Sequence, residues 1–314
     1  MQIKSSLFFS MLSVLLFSFS ASTYAQEANP LEGRWNMTIS KEGKELPSWL
    51  EIAHSGNHTL IGRFVHNTGS ARPIAEVKLK DGTFHFTIPP QWEAEDKDLI
   101  FEGKLENDML KGTMKFSKGK SYPWTATRAP ELKYTKDPVW GAPFALFNGT
   151  DLSGWHAQGD NQWIVESGIL KSPRSGSNLI SDASFSDFKL HVELKYPEGS
   201  NSGIYLRGRY EVQIADNKGL KPASIYFGGI YGFLTPNEMV AKNAGEWQTY
   251  DITLNGRRVT IVANGNTIIK DEIIPGMTGG ALDNNEAAPG PLMIQGDHGP
   301  VEFRSIVITP RIDE

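Results

Sequence analysis

Cysteine is absent from this 314-residue sequence, which removes disulfides, thiolate metal sites, cysteine nucleophiles and a lipidated N-terminal cysteine together. Stability therefore has to come from apolar cores, and the length allows two ordinary domains to build them. No block of Lys or Arg stands out in a chain of formal net charge −5, so nucleic acid and anionic membrane are poor partners. Beyond the N-terminus no apolar run is long enough to cross a bilayer, and the run at 7–19 is itself short for a span. With Lys4 before it and Thr23-Tyr24-Ala25 after it, that run reads as a secretory leader cleaved after Ala25. An uncleaved anchor is the weaker alternative. The expected location is periplasmic or secreted, with Gln26 opening the mature chain and no membrane insertion after cleavage. A phosphate-cradling glycine loop and other nucleotide motifs are also lacking.

Helical periodicity is scarce, whereas 31 glycines and 8 tryptophans accompany short alternating runs, the pattern of an all-β protein. From 31 to 128 the expected strands are 34–40, 50–54, 59–66, 75–80, 83–88, 98–106, 109–116 and 122–128. Asp81-Gly82 is a strong tight-hairpin signal, because both positions tolerate positive φ. Consecutive strands joined by short turns predict a small antiparallel barrel or a strongly curled sheet. Gly33-Arg34-Trp35 resembles the opening of lipocalin-like barrels, with Trp35 expected to pack the barrel floor. Residues 129–143 read as a linker, broken by Pro130, Pro138 and Pro143, with Trp140 packing it against a domain.

From 144 to 312 a second β domain is expected. Phe188, Leu190, Val192, Leu194 and Tyr196 alternate with polar residues, as do Tyr210, Val212 and Ile214, and Asn255-Gly256 and Asn264-Gly265 mark hairpins. So many non-local strands imply a sandwich or jelly roll. On this pattern Glu193, Glu211, Gln213 and Gln295 point away from the core. Tyr205 and Arg207 share the face opposite Ile204 and Leu206, and Glu302 and Arg304 lie opposite Val301 and Phe303. Same-face neighbours on adjacent strands sit roughly 5 Å apart. Carboxylates, amides and a guanidinium could therefore converge on a surface suited to sugar hydroxyls. From the alternation alone, a solvated face with incidental ion pairs is the favoured reading, because ordinary sheets also put charge outside.

A run of segments adds what alternation does not. They are Phe147-Asn148-Gly149-Thr150-Asp151-Leu152-Ser153-Gly154-Trp155, Asn201-Ser202-Gly203-Ile204-Tyr205-Leu206-Arg207-Gly208, Tyr210-Glu211-Val212-Gln213-Ile214, Ile230-Tyr231-Gly232, Gly245-Glu246-Trp247 and the segment from Gln295 to Arg304. In order, they resemble the signatures of the 3-keto-disaccharide hydrolase family, formerly a domain of unknown function, with a concanavalin A-like sandwich. The inserted Gly296-Asp297 before His298 departs from that pattern. The resemblance implies a secreted carbohydrate-active hydrolase or lyase acting on sugars already oxidised at C3. A C3 ketone acidifies the C2 proton, its removal allows β-elimination of the C1 oxygen, and water completes a net hydrolysis. It implies Glu193 or His298 as base, Arg207 and Gln295 on the ketone or enolate oxygen, and Glu211 and Gln213, with Tyr205 beside them, on the sugar. Tyr231 would protonate the leaving oxygen. The ketone has to come from a separate sugar 3-oxidase or dehydrogenase.

Plainer readings stand beside each residue: a loop histidine for His298, an exposed strand histidine for His191, packing for Tyr231. His191 with Glu193, or Asp297 with His298, offers ligands for a divalent metal ion, without a diagnostic spacing. Asp283, Asn284 and Asn285 are candidates for calcium. Glu193 with Glu211 as a two-carboxylate glycosidase, and a non-catalytic lectin, are the competing functions. Trp49, His66 and Trp92 are possible contacts from the barrel, with packing as the simpler role.

Overall fold

In the computed structural model of the chain, residues 29–133 and 136–313 are described, so the expected leader at 1–25 lies outside them. Every regular element among the described residues is a β-strand. β1 (Gly33–Lys41), β2 (Lys44–Ser55), β3 (Thr59–Val65), β4 (Arg72–Lys80), β5 (Thr83–Ile88), β6 (Leu99–Glu106), β7 (Met109–Lys115) and β8 (Ser121–Arg128) pair in sequence order. β8 returns antiparallel to β1 and closes an up-and-down barrel, which leaves no sheet edge open. Asp81-Gly82 turns with both residues at positive φ, as the hairpin requires. β2 begins earlier than expected, because Lys44-Glu45-Leu46-Pro47 lacks alternation yet pairs with β1 across the Glu42-Gly43 turn. The interior is filled by Trp35, Phe64, Phe84, Phe86, Phe101 and Trp124 among others. Trp35 is fully buried, its Nε1 donates to Leu31 O at 2.9 Å, and the Arg128 guanidinium lies 3.8 Å over its ring.

The second part is a two-sheet sandwich. One sheet runs β10 (Trp155–Ala157), β13 (Leu179–Phe185), β20 (Gly290–Ile294), β15 (Asn201–Leu206) and β16 (Tyr210–Ala215). The larger runs β11 (Ile164–Glu166), β12 (Ile169–Ser172), β21 (Val301–Pro310), β14 (Phe188–Lys195), β17 (Gln248–Asn255), β18 (Arg258–Ala263) and β19 (Asn266–Ile273), with β9 (Phe144–Ala145) on β21. Between them Leu190, Val192, Leu194, Ile204, Val212, Tyr250, Ile252 and Phe303 pack into one apolar core. The strands from β10 to β13 escape a period-2 reading: two have three residues, and β13 carries an irregularity between Ile180 and Ser184.

Leu31–Glu314 form one compact unit. Trp49, Val65, Met277 and Ala281 make a small buried cluster where barrel meets sandwich, and the Trp49 ring meets Phe233 edge-on at 5.2 Å. Gly276 lies so close to Trp49 that a Cβ there would sit 2.2 Å from the indole nitrogen. Asn36 Nδ2 donates to Asn284 O and Asn284 Nδ2 donates to Met37 O, each at 2.7 Å. The 275–290 loop between them is held from below: Glu286, fully buried, accepts from Arg257 at 2.9 Å and from Tyr210 at 2.7 Å. The expected linker is pinned too, by Arg257 Nη2 on Pro130 O at 2.9 Å and by Gly141 N on Pro310 O at 2.8 Å. Lys189 lies 5.1 Å over the Trp140 ring.

Candidate active site

A cavity of about 310 Å³ opens beside the smaller sheet of the sandwich. Its floor comes from the face of β15 and β16 that points away from the core. Ile204 and Leu206, with Tyr210, Val212 and Ile214, are buried in the core, so strand alternation sends Tyr205, Glu211 and Gln213 to the other side. Gln295 follows β20 and is positioned by its backbone N–H on Gly203 O at 2.9 Å. Tyr231, Asp297 and His298 come from loops, while Thr68, Gly69 and Trp92 come from the barrel.

Glu211 is the most perturbed carboxyl in this cavity. It is buried, and burial pushes its pKa up to about 8, against the pull of the Tyr205 hydrogen bond and the His298 charge. Glycine makes that placement possible, since a Cβ on Gly203 would lie 2.3 Å from Glu211 Oε1. Tyr205 Oη lies 2.9 Å from Glu211 Oε2 and 2.9 Å from Gly279 O. A phenol has one proton for two acceptors. Both bonds are made at once only when the carboxyl is protonated and donates to Tyr205, which donates to Gly279 O. The geometry and the raised pKa thus agree on a neutral carboxyl.

His298 is half-exposed, and its Nδ1 lies 2.5 Å from Asp297 Oδ1. That bond raises the imidazole pKa above its ordinary value; burial opposes it, and the Asp297 charge adds to the rise. An Nδ1–H directed to a carboxylate leaves Nε2 as the acceptor in the neutral ring. The Gly296-Asp297 insertion therefore supplies the partner of His298, and Ser175 Oγ donates to Asp297 O to hold it. Burial, with the Glu211 charge adding, raises the Tyr231 phenol. Gln213 Nε2 donates to Asn201 Oδ1 at 3.0 Å, while the side-chain carbonyls of Gln213 and Gln295 are buried without a protein partner. Two such acceptors in one cavity suit the hydroxyls of a polyol.

The structure therefore brings together Tyr205, Glu211, Gln213, Tyr231, Gln295 and His298, and leaves Glu193 and Arg207 elsewhere. Glu193 is on β14, in the other sheet, and alternates there with core residues, so it faces outward beside Arg304 and His191. With the core between them, Glu193 and Glu211 point to opposite sides of the sandwich. Stacked sheets lie roughly 10 Å apart, whereas a retaining carboxylate pair needs about 5 Å. The expected glycosidase pair is therefore not assembled. Arg207 departs for a different reason: β15 ends at Leu206, and Arg207 turns at φ 53°. That turn carries it to the core side, where it stacks 5.2 Å over Tyr210 and donates to Gly256 O at 2.9 Å.

Glu302 pairs with Lys195 at 2.8 Å and His191 with Asp251 at 2.7 Å, both at the larger sheet. Of the loop weighed for calcium, Asp283 is engaged by Arg209 at 2.6 Å and the Asn284 side chain by β1. Among the described residues no three His, Asp or Glu side chains gather as metal ligands. Of the barrel residues considered, Trp49 is buried at the seam and His66 inside the barrel near Phe64, while Trp92 lines the cavity. Asn201, Asp297, Gly279 and Gly280 were not assigned roles on the sugar from the sequence. Gly279-Gly280 is the one pair with a visible signal, and a Cβ on Gly280 would lie 2.3 Å from Tyr205 Oη.

The model of the 3-keto-α-glucoside-1,2-lyase-like domain matches residues 143–309, more than half of the chain. The chain belongs to this family. No curated protein matches it. Among solved structures it is similar to a "putative glycosyl hydrolase" from Parabacteroides distasonis, with 26% identity and a TM-score of 0.45 over 58% of this chain and 96% of that one. A second protein of the same description and organism gives 19% identity and a TM-score of 0.46 over 55% and 95%. The carbohydrate-binding module CBM66 of Bacillus subtilis gives 14% and 0.33 over 50% and 92%. In all three the likeness spans nearly the whole of the other chain and between half and three-fifths of this one. Family membership makes this a carbohydrate-active protein, and its family domain holds the floor of the cavity.

Proposed function

We propose that the cavity cleaves the glycosidic bond of a 3-keto-glycoside or 3-keto-disaccharide by C2 deprotonation, β-elimination and hydration. The observation that carries this reading is the pairing of a buried, neutral Glu211 with the Asp297–His298 dyad in one cavity of polar acceptors. Two titratable groups that hold opposite protonation roles near neutrality are what an acid–base elimination requires.

His298 is the base. Neutral, with its Nδ1–H on Asp297, it takes the C2 proton on Nε2, and the C2–H electron pair delocalises onto the C3 oxygen as an enolate. The Tyr231 hydroxyl, whose raised pKa keeps its proton in place, donates a hydrogen bond to that oxygen. The enolate then re-forms the C3 ketone, C1=C2 closes, and the C1–O bond breaks. Glu211 gives its proton to the departing oxygen. As the carboxylate forms, the Tyr205 hydroxyl within 2.9 Å of it turns its proton from Gly279 O to Glu211, stabilising the charge as it develops. In the hydration Glu211 takes a proton from water as its hydroxyl joins C1, and His298 returns its proton to C2, which yields the free 3-keto sugar and restores both groups. The free carbonyls of Gln213 and Gln295 accept sugar hydroxyls and fix the ring. Glu193 and Arg207, remote from this cavity, have no part in it.

The substrate carries its ketone before it arrives, so a separate sugar 3-oxidase or dehydrogenase supplies it, and the leader expected from the sequence would put the reaction outside the cytoplasm. The test is incubation with a 3-keto-disaccharide and with its unoxidised parent, following free sugar. Release from the keto form alone supports elimination. Release from the parent refutes it, and binding of both without release makes the protein a lectin. A positioned acid or base contributes about 10²–10⁴-fold, so E211Q and H298Q each lower kcat by that order.

A further inference from the structure

The barrel lies outside the family domain, yet it supplies one wall of the cavity, and its contribution is unusual in kind. Trp92 is 69% exposed, more than any other large hydrophobic side chain among the described residues. It sits between β5 and β6 on a segment that would ordinarily be mobile, but this one is braced. The Glu93 carboxylate accepts the backbone N–H of Gln91 at 2.8 Å and of Trp92 at 3.2 Å. The same carboxylate takes two bonds from Arg72, at 2.8 and 3.1 Å, in a pair that is more than nine-tenths buried on both sides. Arg72 also donates to Pro89 O at 2.9 Å, and the Gln91 amide exchanges two hydrogen bonds with Ser70. The indole rests on Gly69, where a Cβ would come within 2.7 Å of its Cδ1. A bidentate buried ion pair thus preorganises an apolar ring that stays in water.

A sugar ring has an apolar C–H face and a polar rim, and a rigid indole is matched to that face. An apolar platform is also a poor site for a polarised ketone and its enolate. The ring that reacts belongs beside Glu211, Gln213 and Gln295, and the unreactive ring belongs at the barrel. We infer that Trp92 is the stacking platform for the sugar on the leaving-group side of the scissile bond, so that the barrel selects disaccharides over short glycosides. This rests on the elimination reading above for which sugar is which, not for the stacking itself.

The test uses the full chain and its W92A and W92F variants with two substrates, a 3-keto-disaccharide and methyl 3-keto-glucoside. A stacked ring is worth about tenfold. W92A is expected to lower kcat/KM about tenfold more for the disaccharide than for the methyl glycoside, with W92F restoring most of the difference. An equal loss on both substrates, or none on either, overturns the inference while leaving the elimination reading intact. Should wild type cleave neither substrate, that reading falls, and calorimetric titration with the unoxidised disaccharide decides the platform. Binding weakened about tenfold in W92A supports it; unchanged or absent binding by wild type and variant overturns it.

Discussion

Replacing Glu211 by glutamine is expected to raise stability at alkaline pH while lowering kcat about 10²–10⁴-fold. The folded protein holds the Glu211 carboxyl at about 8, against 4.5 for a free glutamate. A raised acid binds its proton more tightly in the folded state. Its contribution is therefore fully present below pH 4.5 and is lost as pH rises through about 8. Three and a half units at about 1.4 kcal/mol each amount to roughly 5 kcal/mol, of the order of a whole domain's stability. Glutamine mimics the neutral carboxyl, with an amide N–H for Tyr205, and it cannot ionise. Urea unfolding of wild type and E211Q at pH 5 and pH 9 measures the effect. The difference between variant and wild type should be small at pH 5 and several kcal/mol in favour of E211Q at pH 9. Groups that titrate alike in both proteins cancel in that comparison. A stability difference that does not change with pH refutes the claim that Glu211 is buried neutral, and with it the assignment of Glu211 as the acid.

The kcat/KM profile should be bell-shaped. It rises as His298 loses its proton, above 6.5 because of Asp297, and falls as Glu211 ionises near pH 8. D297N should move the acid limb to lower pH, read from initial rates across a buffer series. G203A places a Cβ 2.3 Å from Glu211 Oε1. Overpacking costs about 1–3 kcal/mol, and displacing the acid should cut kcat about 10²-fold, measured beside an unfolding curve that stays cooperative. E286Q leaves the buried Arg257 without its counter-charge, a loss of about 3–5 kcal/mol that a thermal melt would register.

The architecture was largely legible because both parts bury one face of each long strand, and period-2 patterning survives that arrangement. All eight barrel strands and the long sandwich strands follow from it, as does the outward face of Glu211 and Gln213. Two expected site residues lie away from the cavity for reasons the pattern does not contain. Alternation says that Glu193 faces away from the core but not on which side of the sandwich. Arg207 follows a strand end, and a left-handed turn residue breaks the count by one. Trp92 was weighed as a contact from the barrel but not preferred over packing, because it and Glu211 come to line one cavity only through tertiary packing across more than a hundred residues. Asp297 looked like a departure from a pattern because its role depends on a hydrogen bond that spacing alone does not reveal.

The seam around Trp49 bears on how this chain could be divided. Residues 143–309 are the portion that homology would excise, yet Met277 and Ala281 within it finish their burial against Trp49 and Val65 of the barrel. Cut at the family boundary, the fragment would carry an apolar scar into solvent, and the 275–290 loop would lose the Asn36–Asn284 clasp. That loop carries Gly279, the carbonyl on which Tyr205 rests. Modularity of ancestry and modularity of folding do not coincide here. A protein built on residues 143–309 alone would have to be given a new partner for Met277 before any activity of it could be judged.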